Sequence, residues 1–568
     1  EVPNTGSWET FESAEADLSS VTGIHTVYLV SSDNGTYNGD VDWIEFSADS
    51  TADSDTVADT GADTDIPWDT DNSNFTNPVI WEDLADCEVI RVDDTFYYTA
   101  STMHYSPGAP VLRSYDLVNW EYAGHSVPSL DWGNKYNMDG DNAYVNGIWA
   151  STLQYRPDNK TFYWLGCVDF LKTYVYTATS IDGPWEAHST INNCYYDAGL
   201  FIDDDNKMYV AYGNSKIYVA ELSSDGKSQV GTPQMVYDSG NVTLEGSRFF
   251  KHEGSYYILL TRPPNAEFVL RSTNGPLGPY TIQTLVDNVS SPIQGGGAPH
   301  QGGFVNTSKG DWYYMAFVDA YPGGRMPVLA PVTWANGWPS VQLVNGGWGS
   351  SYPHPDVPAH HVVRSSVGTD TFTGTALRPE WEWNHNPVNT SWSLNNGLVL
   401  KTATVTNDIY SARNTLTRRI RGPKSTATIK MDISQMADGD RAGLAVFRQT
   451  SAWVGVKRTG GSNSVVMTNG LTMDNNWNTT STGTEVESVS VSGSQIWLRA
   501  TADIQTGSGR QANFSYSTDG KTFTTIGNNL TLNNEWQFFM GYRFAIFNFT
   551  TTSTGGLVKV ESFEETTP

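Results

Sequence analysis

Five short aromatic strands recur in the first part of this 568-residue chain, and their recurrence constrains the fold more than any other feature. DTFYYTAS is centred on Tyr97, KTFYWLG on Tyr163, NKMYVAYG on Tyr209, GSYYILLT on Tyr257 and GDWYYMAF on Tyr313. The spacings are 66, 46, 48 and 56 residues, 54 on average. Each copy follows a polar turn. Repeats of this length, built from short strands, predict the blades of a β-propeller, and five copies predict five blades.

Upstream of each copy, at nearly the same offset, stands a residue suited to chemistry or to lining a pocket. Asp86 lies 11 residues before Tyr97, Trp149 lies 14 before Tyr163, and Asp197 lies 12 before Tyr209. Glu245 lies 12 before Tyr257, and His300 lies 13 before Tyr313. Equivalent positions on the innermost strands of a propeller converge on its axis. The offsets therefore predict one axial pocket holding three carboxylates, a tryptophan and a histidine. They also account for Glu245, a glutamate at the head of a strand, where that residue is disfavoured. A turn-stabilising role is the ordinary explanation for any one aspartate in an acidic chain. Three acids in register point instead to a site. Two carboxyls across a sugar pocket can hydrolyse a glycoside, one giving a proton to the leaving oxygen and one activating water. A third can set its neighbour's protonation state.

The rest of the chain sets bounds on partners and domains. Its length exceeds one core and implies two or three domains. No segment keeps helical periodicity over three turns, so the expected class is all-β. The formal net charge of -29 disfavours nucleic acid and anionic membranes as partners. No apolar run of ~18 residues is present to span a bilayer as a helix. Residues 49–71 hold eight Asp and no Lys or Arg, the composition of a solvated linker. The expected division is a partial β segment at 1–47, an acidic linker at 48–74, the propeller at 75–365 and a β-sandwich at 370–568.

Three cysteines allow one bridge, expected between Cys167 and Cys194, with Cys87 as a buried thiol. Eleven N-x-S/T sequons, from Asn34 to Asn548, favour a secreted glycoprotein. The start at Glu1, with no initiator Met and no apolar leader, fits a secretion signal already removed. Other patterns carry less. His354, His360 and His361 are poorly spaced for a transition metal. The Asp-x-Asp spacing near residue 53 lacks the closing Glu of a calcium loop. The glycines of QGGG at 294–297 precede no helix and so make no phosphate loop.

Three stretches carry a family resemblance: NPVIWEDLADCEVIRVDDTFYYTAST, YYDAGLFIDDDNKMYVAYG and LEGSRFFKHEGSYYIL. They resemble glycoside hydrolase family 43, whose members are five-bladed propellers that hydrolyse with inversion. The resemblance implies Asp86 as general base, Asp197 as the residue that orients and tunes its neighbours, and Glu245 as general acid. Where the family commonly has Pro-Asp-Pro around the base, this chain has Ala85-Asp86-Cys87, which leaves Asp83 and Glu88 as alternatives. GGAPHQGGFV resembles the axial histidine segment and places His300 under the pocket. In some members that histidine helps hold calcium through water, so a structural Ca²⁺ is the one metal implied, and no cofactor is required. GGRMPVLAPVTW implies Arg325 as a substrate contact. GIWAS implies Trp149 as a pocket wall, with Tyr196 beside it.

The finer match is to fungal arabinofuranosidases acting on arabinoxylan, through HYSPGAPVLRSYDLVNWEYAGHSVP and FVDAYPGGRMPVLAPVTWANGWP. PEWEWNHNP, ARNTLTRRI, GDRAGLAVF and GYRFAIFNF resemble the concanavalin- or lectin-like β-sandwich appended to many members, expected to support the propeller. The N-terminal GIHTVYLVSSDNGTYNGDVDWIEFS resembles the last third of a family 6 carbohydrate-binding module, with Trp8 as its sugar-stacking residue. The implied protein is a secreted, monomeric, inverting exo-hydrolase. It removes α-L-arabinofuranosyl groups from arabinoxylan, with a leaning to the O-3 arabinose of doubly substituted xylose. A β-xylosidase of the same fold and a non-catalytic glycan-binding propeller are the alternatives.

Overall fold

The computed structural model describes residues 74–357 and 361–568. The N-terminal module-like segment with Trp8, the acidic stretch up to residue 73 and His360 lie outside the described residues.

Five four-stranded antiparallel sheets follow one another along residues 88–341. Blade 1 comprises Glu88–Val92, Thr95–Thr99, Gly108–Ser114 and Trp120–Val127. Blade 2 comprises Thr152–Arg156, Thr161–Val168, Lys172–Ala178 and Glu186–Ile191. Blade 3 comprises Gly199–Ile202, Met208–Asn214, Lys216–Leu222 and Gln229–Asp238. Blade 4 comprises Glu245–His252, Ser255–Arg262, Ala266–Ser272 and Thr281–Asp287. Blade 5 comprises His300–Asn306, Trp312–Asp319, Arg325–Ala335 and Trp338–Val341.

The repeated aromatic segment is the second strand of every blade, and its composition follows from its place. Successive side chains of a strand point to opposite faces. In blade 4, Tyr257 and Leu259 join one hydrophobic cluster while Ile258 and Leu260 join the cluster shared with blade 3. In blade 3, Met208 and Val210 pack toward blade 2 while Tyr209 and Ala211 pack toward blade 4. A strand buried on both faces needs an unbroken apolar run, and the repeats supply one. Asn74–Thr76 pairs with Ser351–Pro353, so the two ends of the propeller are joined by a short sheet of their own.

The remaining chain builds two large antiparallel sheets, one of nine strands and one of eight, with a continuous core between them. One strand of the eight-stranded sheet is not from this region: Tyr105–Ser106 of the propeller pairs with Glu382–Asn384. Around that pairing Met103, Tyr105 and Tyr144 pack with Phe447, Phe538 and Ala545. Burying a large apolar side chain stabilises by about 1.5–3 kcal/mol, so several such residues make a permanent joint. Glu382 sits fully buried within it, held by Arg543 at 2.6 Å, Arg419 at 2.9 Å and His125 at 3.0 Å.

Candidate active site

Just before or within the first strand of blades 1, 3, 4 and 5 stands a residue with left-handed φ: Asp86 (56°), Asp197 (49°), Gly246 (70°) and Gln301 (42°). In blades 4 and 5 the register also shifts there, between Glu245 and Arg248 and between His300 and Gly303. Such bulges re-aim a side chain without ending the sheet. Gly246 could not be replaced cheaply, since a Cβ would lie 3.0 Å from both Gln301 and Thr261. Asp86 and Asp197 are not glycine, and an L-residue held there carries strain that the surroundings must impose.

The three acids occupy different surroundings. Asp86 is buried, and its two oxygens are separately held: Arg325 Nη1 donates to Oδ1 at 2.8 Å and Ser101 Oγ donates to Oδ2 at 2.8 Å. Arg325 Nη2 also donates to Ser101 Oγ at 3.3 Å, which locks the trio. Glu245 is half-buried, and both of its bonds go to Oε2, from Asn214 Nδ2 at 2.6 Å and from Tyr196 Oη at 3.0 Å. Its Oε1 is left without a protein partner among these bonds. Burial and the Asp86 charge push the Glu245 carboxyl upward, against the two hydrogen bonds. Asp197 is buried beside both, and burial, Glu245 and Asp86 push it well above the usual range. Like charges crowded out of water favour keeping protons.

His300 is buried with its ring 4.6 Å from that of Phe317. Its Nδ1 donates to Ala298 O at 2.9 Å, which leaves Nε2 as an acceptor. Burial lowers its pKa, so the ring is neutral. The guanidinium of Arg325 is close by, and among the described residues no group of three or more His, Cys, Asp or Glu could hold an ion directly.

Aromatic side chains flank the acids. Trp149 lies 4.7 Å from Phe539 of the sandwich and 6.1 Å from Phe170, and Phe170 stacks on Tyr196 at 5.9 Å. The sandwich also reaches Arg325, whose Nε donates to Phe539 O at 3.1 Å. The Cys167–Cys194 bridge ties blade 2 to the segment that carries Tyr196 and Asp197, and Cys87 is a buried free thiol.

The seven residues read from the sequence are thus linked into one group: Asp86 to Arg325, Asp197, Glu245 and His300, Glu245 to Tyr196, and Trp149 to Tyr196 through Phe170. The two alternatives to Asp86 have other duties. Asp83 accepts from the main-chain N–H of Arg325 at 2.7 Å and of Gly541 at 2.9 Å, joining the propeller to the sandwich. Glu88 is buried inside blade 1 and accepts from Leu153 N and Gln154 Nε2, each at 3.3 Å. Ser101, Asn214, Phe170 and Phe539 were not foreseen. Ser101 ends the first aromatic repeat and Asn214 follows the third, positions that offset counting could have flagged. Phe539 had no signal.

A five-bladed propeller with three acids grouped together and a sandwich packed against it fits a glycan-cleaving hydrolase. Comparisons with known proteins name the family. The model described as Glycosyl hydrolases family 43 matches residues 75–339, and that described as Beta xylosidase C-terminal Concanavalin A-like domain matches 369–565. A Carbohydrate binding module (family 6) model matches 1–48. A solved family 43 glycoside hydrolase, engineered to display both endo-xylanase and exo-arabinofuranosidase activity, is 47% identical with a TM-score of 0.84, covering 87% of this chain and 100% of that one. A beta-xylosidase of Formosa agariphila is 29% identical over 562 residues, covering 87% of this chain and 90% of that protein. A non-reducing end alpha-L-arabinofuranosidase of Bacteroides ovatus is 28% identical over 394 residues, covering 66% and 73%. The chain belongs to glycoside hydrolase family 43.

Proposed function

We propose that this protein removes α-L-arabinofuranosyl side groups from arabinoxylan by single-displacement hydrolysis with inversion. The observation that carries the chemistry is the unequal treatment of the acids. Asp86, paired with Arg325, is suited to the ionised base. Glu245, raised by burial and by Asp86, with one oxygen left for a ligand, is suited to hold a proton for the leaving oxygen. In this mechanism water attacks the anomeric carbon while Asp86 takes its proton. The bond to the xylose oxygen breaks, and Glu245 protonates that oxygen. Asp197 titrates together with Glu245: once one is ionised, the other keeps its proton to higher pH. Asp197 thus tunes the acid rather than reacting. We place this machinery in residues 75–365, with 370–568 as its support.

The polymer preference draws support from exposed aromatic side chains. Phe170 is 57% exposed and Trp536, 5.3 Å from Phe539, is 56% exposed. Aromatic faces open to water beside the grouped acids suit a sugar chain lying across them while one side group reaches the acids. The solved relative at 47% identity, whose engineered form displays both endo-xylanase and exo-arabinofuranosidase activity, supports arabinose as that group through the second of these. The relationship to a beta-xylosidase favours xylose as the second reading. Chromatography of a wheat arabinoxylan digest decides between them. Arabinose without xylose is expected, and xylose as main product from linear xylo-oligosaccharides would move the assignment to the second reading. Defined oligosaccharides carrying singly and doubly arabinosylated xylose test the leaning to the O-3 arabinose.

We assign the protein to the extracellular space as a monomeric glycoprotein. The disulfide supports this reading, as do sequons exposed at Asn159, Asn241, Asn288, Asn389, Asn513 and Asn529. Asn548 is buried and donates to Leu400 O, so its sequon should stay bare. Intact mass before and after deglycosylation checks the assignment.

A further inference from the structure

Arg248, on the strand headed by Glu245, is buried to 2% exposure. Its hydrogen bonds run only to main-chain carbonyls. Nε donates to Cys87 O at 2.9 Å, Nη2 to Asp86 O at 2.7 Å, and Nη1 to Ala198 O at 2.8 Å and Ser247 O at 2.9 Å. These carbonyls belong to Asp86 itself, to the residue after Asp197, and to the strand headed by Glu245. One planar fork therefore gathers the strand entries of blades 1, 3 and 4 at a single point. A planar guanidinium with fixed donors can do this, and a flexible ammonium cannot.

A buried cation with no carboxylate in direct contact is costly unless the surroundings need its charge. They do. Facing Arg248 are Cys87 and Glu88 from blade 1, Asp197 just before blade 3, Glu267 from blade 4 and Tyr314 from blade 5. Burial pushes Glu88 up to about 7 and Glu267 up to about 8, and Arg248 opposes both shifts. Glu88 and Glu267 take no part in the proposed reaction and lean toward their neutral forms. The positive charge is left to act on Asp197, where it opposes the upward push of burial and of the neighbouring acids.

We propose that Arg248 is a positioning residue of the catalytic site, which aligns Asp86, Asp197 and Glu245 through their strand carbonyls and provides a fixed charge beside Asp197 that helps set the pH range in which one acid is ionised while another stays protonated. The inference rests on the catalytic reading of those three acids.

The test is the pH dependence of kcat/KM on an aryl arabinofuranoside for Arg248→Gln, Arg248→Lys and Asp86→Asn, with melting curves for each. Loss of a nearby cation makes every carboxylate harder to ionise, so both limbs of the profile in Arg248→Gln should move to higher pH, by about one unit. Misalignment should also lower kcat by ~10-fold or more. Arg248→Lys keeps the charge and loses the fork, so it should retain the wild-type limbs with a lowered kcat. An unshifted profile in Arg248→Gln would reduce Arg248 to a fold support. Should Arg248→Gln not fold, Arg248→Lys decides alone: unmoved limbs with reduced kcat support the proposal, and moved limbs or full kcat overturn it. Asp86→Asn separates the two levels. If it stays active, the catalytic reading fails and this inference with it. If it is inactive and the Arg248 variants behave otherwise than expected, only this inference fails.

Discussion

Two buried acid clusters in this molecule are wired in opposite senses. At the propeller axis, Asp86, Asp197 and Glu245 share a small volume, only Asp86 is paired directly with a cation, and burial with mutual repulsion pushes Asp197 and Glu245 upward. At the joint with the sandwich, a single carboxylate, Glu382, has Arg419, Arg543 and His125 around it. Burial alone would raise Glu382, but the two arginines hold it far below the usual range. The first cluster has more acid than it can ionise together, which is the condition for proton transfer. The second has more cation than acid, which is the condition for a strut. Which charge is in excess separates site from scaffold better than burial does, since both are buried.

The largest effect should come from the axis. Asp86→Asn removes the base and should cost ~10²–10⁴ in kcat, on natural and activated substrates alike, because water must be deprotonated whatever leaves. Initial rates on arabinoxylan and on an aryl arabinofuranoside check this, and a loss below ~10-fold on either would place the base elsewhere. Next is the joint. Glu382→Gln leaves Arg419 and Arg543 without their counter-charge and should destabilise by about 3–5 kcal/mol, as breaking a buried pair does. Chemical denaturation reads the loss. A change within error would mean that the apolar joint carries the contact alone.

Asp197→Asn should go the other way. An amide of the same shape removes the charge that its neighbours resist, so stability at neutral pH should hold or rise, on the order of 1 kcal/mol, while activity falls. A clear drop in melting temperature would contradict the comparison. The pH dependence separates the clusters as well. Glu382 ionises more readily folded than unfolded. Its contribution is complete above the unfolded value near ~4.3 and is lost as pH falls toward the depressed folded one. Asp197 holds its proton more tightly when folded. It favours folding most below ~3.9, and that contribution is lost as pH rises through its raised folded value.

Much of the axial cluster was legible before any coordinates. Blades repeat one geometry, so their buried second strands repeat one composition, and an offset counted from Tyr97, Tyr209 or Tyr257 finds the acid at the neighbouring strand entry. The same counting found Trp149 and His300. What it could not find depends on contacts between distant segments. Phe539 reaches Trp149 across 390 residues of chain, and nothing periodic links them. The joint was equally hidden: Tyr105–Ser106 is two residues long, too short to read as a strand added to another domain's sheet. Asp83 shows the converse error. It resembled a base by proximity to Asp86, yet its oxygens are taken by the N–H groups of Arg325 and Gly541, a role visible only in space.

The smallest effect concerns the N-terminal region. The acidic stretch at 49–71 has the composition of a linker, so deleting residues 1–70 should leave kcat on an aryl arabinofuranoside unchanged within twofold. A larger loss would show that this region supports the site.

The central claim, that Glu245 delivers the proton, is tested most directly by Glu245→Gln on two substrates that differ only in need of an acid. On arabinoxylan, whose leaving xylose oxygen must be protonated, the rate should fall by ~10²–10⁴. On an aryl arabinofuranoside, whose phenolate leaves unaided, the fall should be far smaller. Equal losses on both substrates would contradict the assignment.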